Sequence, residues 1–308
     1  MAAIRIALVG MGKIARDQHV PALAASDEFD LVAAASPNRR LEGVPNFRSL
    51  DALLDGVAGL DAIALCTPPQ LRYELARTAL ERGLHVFLEK PPGATLSEVA
   101  GLAELARQRD LALYASWHSR CAAGVAPARD RLRAHAPHSV SVTWKEDVRE
   151  WHPGQAWIWK TGGLGVFDPA INALSILTEI LPPPLVLRGG ELAFPANCET
   201  PIAGTLDMTS GGNVPVRLEM DFLQQGPPSW DIAVETDGER LLLSRGGAVL
   251  QVGDAPPVEA PDEEYPRLYA AFAHLVRERR VDADATPLLL VADALMSCRR
   301  RTVEPFIE

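Results

Sequence analysis

The stretch Ile4-Arg5-Ile6-Ala7-Leu8-Val9-Gly10-Met11-Gly12-Lys13-Ile14-Ala15 decides the fold. Ile4–Val9 is apolar except for Arg5 and reads as a buried strand; a G-x-G-x-x-A turn follows it directly. Gly10 permits a tight turn, Gly12 lets another group approach the backbone, and Ala15 lets the next helix lie close to the strand. The helix start beyond offers unpaired amide donors and a positive dipole end, which suits a pyrophosphate. Two glycines after a strand also occur in ordinary turns. What favours a dinucleotide here is the place of this turn in the first unit of a βαβ series.

That series runs to residue 115. Ile4–Val9, Phe29–Ala35, Asp61–Cys66, His85–Leu88 and Leu111–Ala115 read as strands with helices between most of them, which implies right-handed crossovers and a parallel sheet. Thr95 followed by Glu98 marks one helix start as a capping box. Farther on the period changes to two. Val140, Val142 and Trp144 alternate with Ser141, Thr143 and Lys145; Val216, Leu218, Met220 and Phe222 alternate with Arg217, Glu219 and Asp221. Leu185–Leu192, Thr205–Met208, Trp230–Glu235 and Leu241–Ser244 are further strand candidates, and helical stretches near Tyr265–Arg277 and Pro287–Arg299 close the chain. The expected fold is α/β: a Rossmann-type doubly wound parallel sheet over residues 1–117, then an α+β domain with an open, largely antiparallel sheet over 118–308.

Composition narrows the partners. Of 308 residues, 47% are hydrophobic and 23% charged, the profile of a globular chain. Thirty Lys plus Arg against 40 Asp plus Glu leave a net charge of −10, which argues against a phosphate backbone as partner. No apolar stretch approaches the length of a bilayer span, and the N-terminus has no signal-peptide pattern, so a cytoplasmic protein is expected. Cys66, Cys121, Cys198 and Cys298 are widely spaced, which predicts free thiols and no cysteine zinc site.

The tip of the second strand, Ala34-Ala35-Ser36-Pro37-Asn38-Arg39-Arg40, bears on the choice of dinucleotide. A carboxylate there would hold a ribose 2′-hydroxyl, as in NAD sites; its absence leaves Ser36, Asn38 and Arg39 free to take a 2′-phosphate. NADP is the expectation, NAD the alternative; both arginines could also be plain solvated surface.

Lys90, one of only four lysines, ends the predicted strand in Leu88-Glu89-Lys90-Pro91-Pro92. Ligands of open α/β sheets bind at that edge, and a lysine there can bond a hydroxyl; the plain alternative is a salt-bridged turn. A second cluster is Gly162-Gly163-Leu164-Gly165-Val166-Phe167-Asp168-Pro169-Ala170-Ile171-Asn172. On a helix, Asp168 and Asn172 share a face, while Pro169 belongs in a first turn and puts Asp168 near the N-cap. Capping and chemistry are equally good readings of Asp168. Trp117, Trp144, Trp151, Trp157 and Trp159 lie close in sequence, with His118 and His152 beside two of them. Such faces stack on sugar rings while His, Glu and Asn read hydroxyls, although Trp144 on an alternating strand fits a core equally well. No histidine spacing suggests a metal site.

These motifs, with Cys66-Thr67-Pro68-Pro69, resemble those of the glucose–fructose oxidoreductase/inositol dehydrogenase (Gfo/Idh/MocA) family. Lys13-Ile14-Ala15-Arg16-Asp17-Gln18-His19, Trp117-His118-Ser119-Arg120, Trp144-Lys145-Glu146-Asp147 and Trp151-His152-Pro153-Gly154-Gln155 look most like its bacterial branch that oxidises C1 of L-arabinose and D-galactose. The resemblance covers nearly the whole chain. It implies a sugar held between the two domains, with Lys90, Asp168 and Asn172 catalytic, and a homodimer built on the second sheet. Around the cofactor it implies Gly10, Gly12, Lys13, Ile14, Ser36, Asn38, Arg39, Thr67, Pro68 and Glu89. His118, Glu146, Trp151 and His152 become the candidates for the sugar. Many relatives carry a histidine base where Asn172 stands, and asparagine takes no proton at neutral pH; base duty then passes to Lys90, Asp168 or a shared water. A relative acting on another polyol or cyclitol, and a sugar- and dinucleotide-sensing regulator, are the alternatives.

Overall fold

Ile4–Val9 (β1) lies within a wholly parallel sheet. A computed structural model describes residues 2–308. The sheet also holds Phe29–Ala35 (β2), Asn46–Phe47 (β3), Ala62–Leu65 (β4), His85–Leu88 (β5) and Leu113–Ala115 (β6). Its order is Val281–Asp282, β6, β5, β4, β1, β2, β3, with each neighbouring pair parallel. Ile6, Ala7, Leu8 and all of β4 and Val86–Leu88 are sealed from solvent, as strands covered on both faces must be. Val20–Ala24 (α1), Leu50–Gly56 (α2), Pro69–Glu81 (α3) and Leu96–Gln108 (α4) are the helices between its strands. α4 starts at the expected capping box: the Glu98 amide donates to Thr95 Oγ1 at 3.2 Å, and the Thr95 amide to Glu98 Oε2 at 3.1 Å. Strand order reverses between β1 and β4, so the crevice of this doubly wound sheet opens at their carboxyl ends.

The chain forms two compact units, and one assignment differs from the sequence expectation. The first unit runs through His118 and takes in Tyr265–Ala285; the second holds Ser119–Glu264 and Thr286–Glu308. The helix Glu264–Glu278 buries Tyr265, Leu268, Tyr269, Phe272, Ala273 and Leu275. Its aromatic rings meet Phe29, Phe87 and Tyr114 of the first unit, and Val281–Asp282 then pairs with β6. An amphipathic period shows that a helix has an apolar face; it does not say which core receives it.

In the second unit the sheet is nine-stranded and mixed. Pro137–Lys145 (β7), Val186–Pro195 (β8), Ala203–Ser210 (β9), Val214–Asp221 (β10), Ser229–Thr236 (β11), Leu241–Ser244 (β12), Val249–Val252 (β13) and Val258–Glu259 (β14) are joined at the far edge by Arg299–Val303. β7 pairs with β10, and Arg299–Val303 with β8, in parallel; the other pairs are antiparallel. The alternation holds: Val216, Leu218 and Met220 point inward and Arg217 outward. Arg299–Val303 escapes a sequence reading because Arg299-Arg300-Arg301 looks like solvated surface, whereas charged edge strands are common. The helix before it therefore stops at Ser297, short of the expected Arg299. Among the described residues, no helix is long and apolar enough to cross a membrane, and all four cysteines are free thiols.

Candidate active site

The two glycines of the opening turn have different tasks. Gly10 has φ +96°, and a Cβ on it would stand 2.9 Å from the Cys66 carbonyl carbon and the Thr67 amide nitrogen. Only glycine fits there, because β1 and β4 close on each other at that point. A Cβ on Gly12 would meet nothing within 4 Å. Space is kept over the Gly12 backbone at the helix start, the cradle a pyrophosphate needs. Gly12→Val is thus expected to fold with an unchanged Tm and to lose about tenfold or more in dinucleotide affinity, while Gly10→Ala loses stability. Thermal melts and fluorescence titration with NADPH test both; equal Tm losses in the two variants would count against this division.

The remaining candidates of this half sit around that cradle in different states. Lys13 and Ile14 open the helix and are exposed, Lys13 paired with Asp17. Ser36 is half-buried, its amide donating to the Phe47 carbonyl at 2.9 Å, and Asn38 and Arg39 are exposed. Thr67 and Pro68 connect β4 to α3. Thr67 Oγ1 and Gln70 Oε1 are buried without a hydrogen-bond partner among the described residues, polar atoms that a bound dinucleotide could meet. The residues present fit NAD(P).

Lys90 follows β5 in a loop held from below. Glu89 is only 3% exposed. Its Oε1 accepts from Tyr265 Oη at 2.7 Å and His19 Nε2 at 2.9 Å, and its Oε2 accepts the Lys90 amide at 2.9 Å. The carboxylate that the motif placed at the cofactor is turned into the fold, where it anchors the Lys90 backbone. Arg72 on α3 is buried and donates to the carbonyls of Thr67, Glu89 and Pro91. It ties the loop after β4 to the loop carrying Lys90. Sequence reading missed it, since an arginine in Gln70-Leu71-Arg72-Tyr73 carries no sign of burial. His118 ends this unit's first segment and stacks on Tyr265, ring centres 5.9 Å apart.

In the second unit β7, the short helix Val148–Trp151 and the helix Phe167–Ile180 carry or adjoin five more candidates, Glu146, Trp151, His152, Asp168 and Asn172. Glu146, just past β7, is 2% exposed and accepts from His152 Nε2 at 2.9 Å and from Trp230 Nε1 at 2.8 Å. With Nε2 donating to Glu146, the imidazole turns Nδ1 toward Asp168, whose Oδ2 is 3.6 Å away. The helix cap is Val166, with no side-chain cap bond, and Asp168 is buried in the first turn and not at the cap position. Asn172 lies one turn on, half-buried on the same face. Trp151 is 38% exposed and meets Trp230 edge-on at 4.7 Å. Both line a cavity of about 700 Å³ with Pro227, Pro228 and Arg245. Trp230 was foreseen only as part of a strand; its register opposite Trp144 places it beside Glu146. Trp144 is core, as its alternation allowed.

Residues 4–116 match the Gfo/Idh/MocA oxidoreductase family, which has an NAD-binding Rossmann fold. Over 311 aligned residues the chain is 45% identical to galactose 1-dehydrogenase of Pseudomonas fluorescens, covering 100% of both proteins. The chain belongs to the Gfo/Idh/MocA family of oxidoreductases. The crystal structure of D-galactose-1-dehydrogenase protein from Rhizobium etli superposes with a TM-score of 0.95 at 50% identity, over 100% of this chain and 99% of that one. A 3-ketoreductase from Actinomadura kijaniata, solved with NADP, has the same fold at 20% identity, with a TM-score of 0.86 over 98% of this chain and 100% of that one.

Proposed function

We propose that the protein oxidises the C1 hydroxyl of cyclic D-galactose, and of L-arabinose and D-fucose, to the aldonolactone, with hydride transfer to NAD(P). The observation that carries this reading is the full-length likeness to two galactose 1-dehydrogenases, which spans the glycine turn and the Glu146–His152–Asp168 cluster alike. The bound nicotinamide supplies the hydride acceptor. The chain's own residues do the rest. The C1 hydroxyl proton passes to Lys90 or to Asp168 as C1 becomes a carbonyl carbon. Asn172, which cannot act as a base, orients the ring. Glu146 fixes the imidazole of His152 so that Nδ1 meets a sugar hydroxyl, and the open face of Trp151 stacks on the ring. His118 reads a further hydroxyl. Ser36, Asn38 and Arg39 hold a 2′-phosphate, favouring NADP. The protein acts in the cytoplasm, as a homodimer formed through the second sheet.

The three sugars share their configuration at C2, C3 and C4 and differ at C5. The groups at C5 are hydrogen, methyl and hydroxymethyl, and a pocket separates such small additions by only about 1–3 kcal/mol, so all three should react. D-Glucose inverts the C4 hydroxyl and leaves a buried polar partner unmet. Initial rates with NADP and NAD on the four sugars test the reading. D-Glucose is expected at least about 50-fold below D-galactose in kcat/KM. Arg39→Ala should lower kcat/KM for NADP about tenfold and leave NAD within about twofold. Equal use of glucose would sink the hydroxyl-reading pocket; no turnover on any sugar, with dinucleotide bound, would sink the activity.

A further inference from the structure

The mechanism leaves one buried titratable cluster unused. His19 is fully buried in the first unit, at the end of Ala15–His19, where the helix after the glycine turn widens to π geometry. Its Nε2 donates to Glu89 Oε1 at 2.9 Å, and its Nδ1 stands 2.7 Å from Tyr269 Oη. Phe87, Tyr265 and Tyr269 pack edge-on around the ring. Burial works against a charge on this imidazole, yet the Cys66 sulfur and the Glu89 carboxylate beside it raise its pKa well above the usual histidine range. Burial likewise opposes the Glu89 charge, and the His19 bond and charge outweigh it and hold the carboxyl well below its usual range. The two form a buried ion pair whose remaining bonds run to Tyr265, Tyr269 and the Lys90 amide. Such a pair is weak evidence of stability, because desolvation offsets the attraction. Its geometry has a clearer use.

We propose that His19 is a positioning residue for Lys90, acting through Glu89. The His19 and Tyr265 donors pin one carboxylate oxygen, which aims the other at the Lys90 amide and sets the direction in which the lysine leaves the loop. Because His19 belongs to the helix that begins at the glycine turn, that turn and the lysine are set by one rigid connection. π-turns inside helices recur at functional sites, and this one carries His19 at its end. Without His19, Glu89 keeps Tyr265 and the nearby His118 but loses the charge and the bond that His19 supplies.

The proposal rests on the dehydrogenase reading of Lys90, so its test includes a readout that needs no turnover. His19→Leu, His19→Gln and Tyr269→Phe are measured for kcat and KM on D-galactose and for dinucleotide Kd. His19→Leu is expected to lower kcat about 10- to 100-fold with dinucleotide Kd within about threefold, and His19→Gln, which restores a donor to Glu89, to recover most of that loss. Tyr269→Phe, the mildest change, should show the same split at smaller size and serves if His19→Leu fails to fold. The four lysines, 13C-dimethylated, give separate NMR signals, with Lys90 assigned from Lys90→Arg. The Lys90 signal should move in His19→Leu or Tyr269→Phe, while those of Lys13, Lys145 and Lys160 stay. A stationary Lys90 signal, a matching shift of Lys13, or equal losses in kcat and dinucleotide affinity would overturn the assignment. A wild type inert on every sugar would overturn the dehydrogenase reading and leave the NMR result to decide His19.

Discussion

Lys90→Met lowers kcat for D-galactose oxidation by about 10³-fold, with dinucleotide Kd within about threefold of wild type, if the lysine handles the C1 proton. The basis is its position. Lys90 follows β5 at the edge where open α/β sheets bind ligands, and its amide is fixed by Glu89 Oε2 at 2.9 Å. Methionine keeps the length and apolar stem and removes the proton-accepting nitrogen, so little else should change. The decisive comparison is between steady-state kinetics and direct titration of the dinucleotide. Parallel losses in kcat and in binding would mean that Lys90 holds the cofactor, and the chemistry would pass to Asp168 alone.

Arg72→Leu should destabilise the protein by about 3–5 kcal/mol, the cost of leaving several buried carbonyls without a donor. Arg72 is 3% exposed, and its guanidinium serves the carbonyls of Thr67, Glu89 and Pro91 at once. Leucine fills much of the volume and supplies no N–H. Lysine is not a conservative replacement either, because an ammonium is a point donor and cannot reproduce the planar fork. Urea unfolding of wild type, Arg72→Lys and Arg72→Leu, with m-values checked for constancy, measures this. A loss below about 1 kcal/mol would show that the carbonyls find water instead. Since the same three carbonyls belong to the loops after β4 and β5, Arg72→Lys is also where a modest stability loss should accompany a larger loss of turnover.

The sequence by itself determined whatever depends on neighbours a few residues apart. The turn Gly10–Ala15, the Thr95–Glu98 box and the alternation of β10 are set by local sterics, capping bonds and the period of two, and each is found in the structure. Asp168 and Asn172 sharing a helix face is local in the same sense. The tertiary structure alone decided partnerships across long stretches of chain. His19 meets Glu89 and Tyr269, Trp230 meets Glu146, and Tyr265–Ala285 packs in the first unit although the stretches before and after it belong to the second. Buried polar groups must find partners, but composition does not say which ones, since any carboxylate or hydroxyl satisfies the same need. Arg72 is the sharpest case: an arginine in sequence is a surface residue by default, and only the convergence of three carbonyls at one sheet edge makes burial favourable.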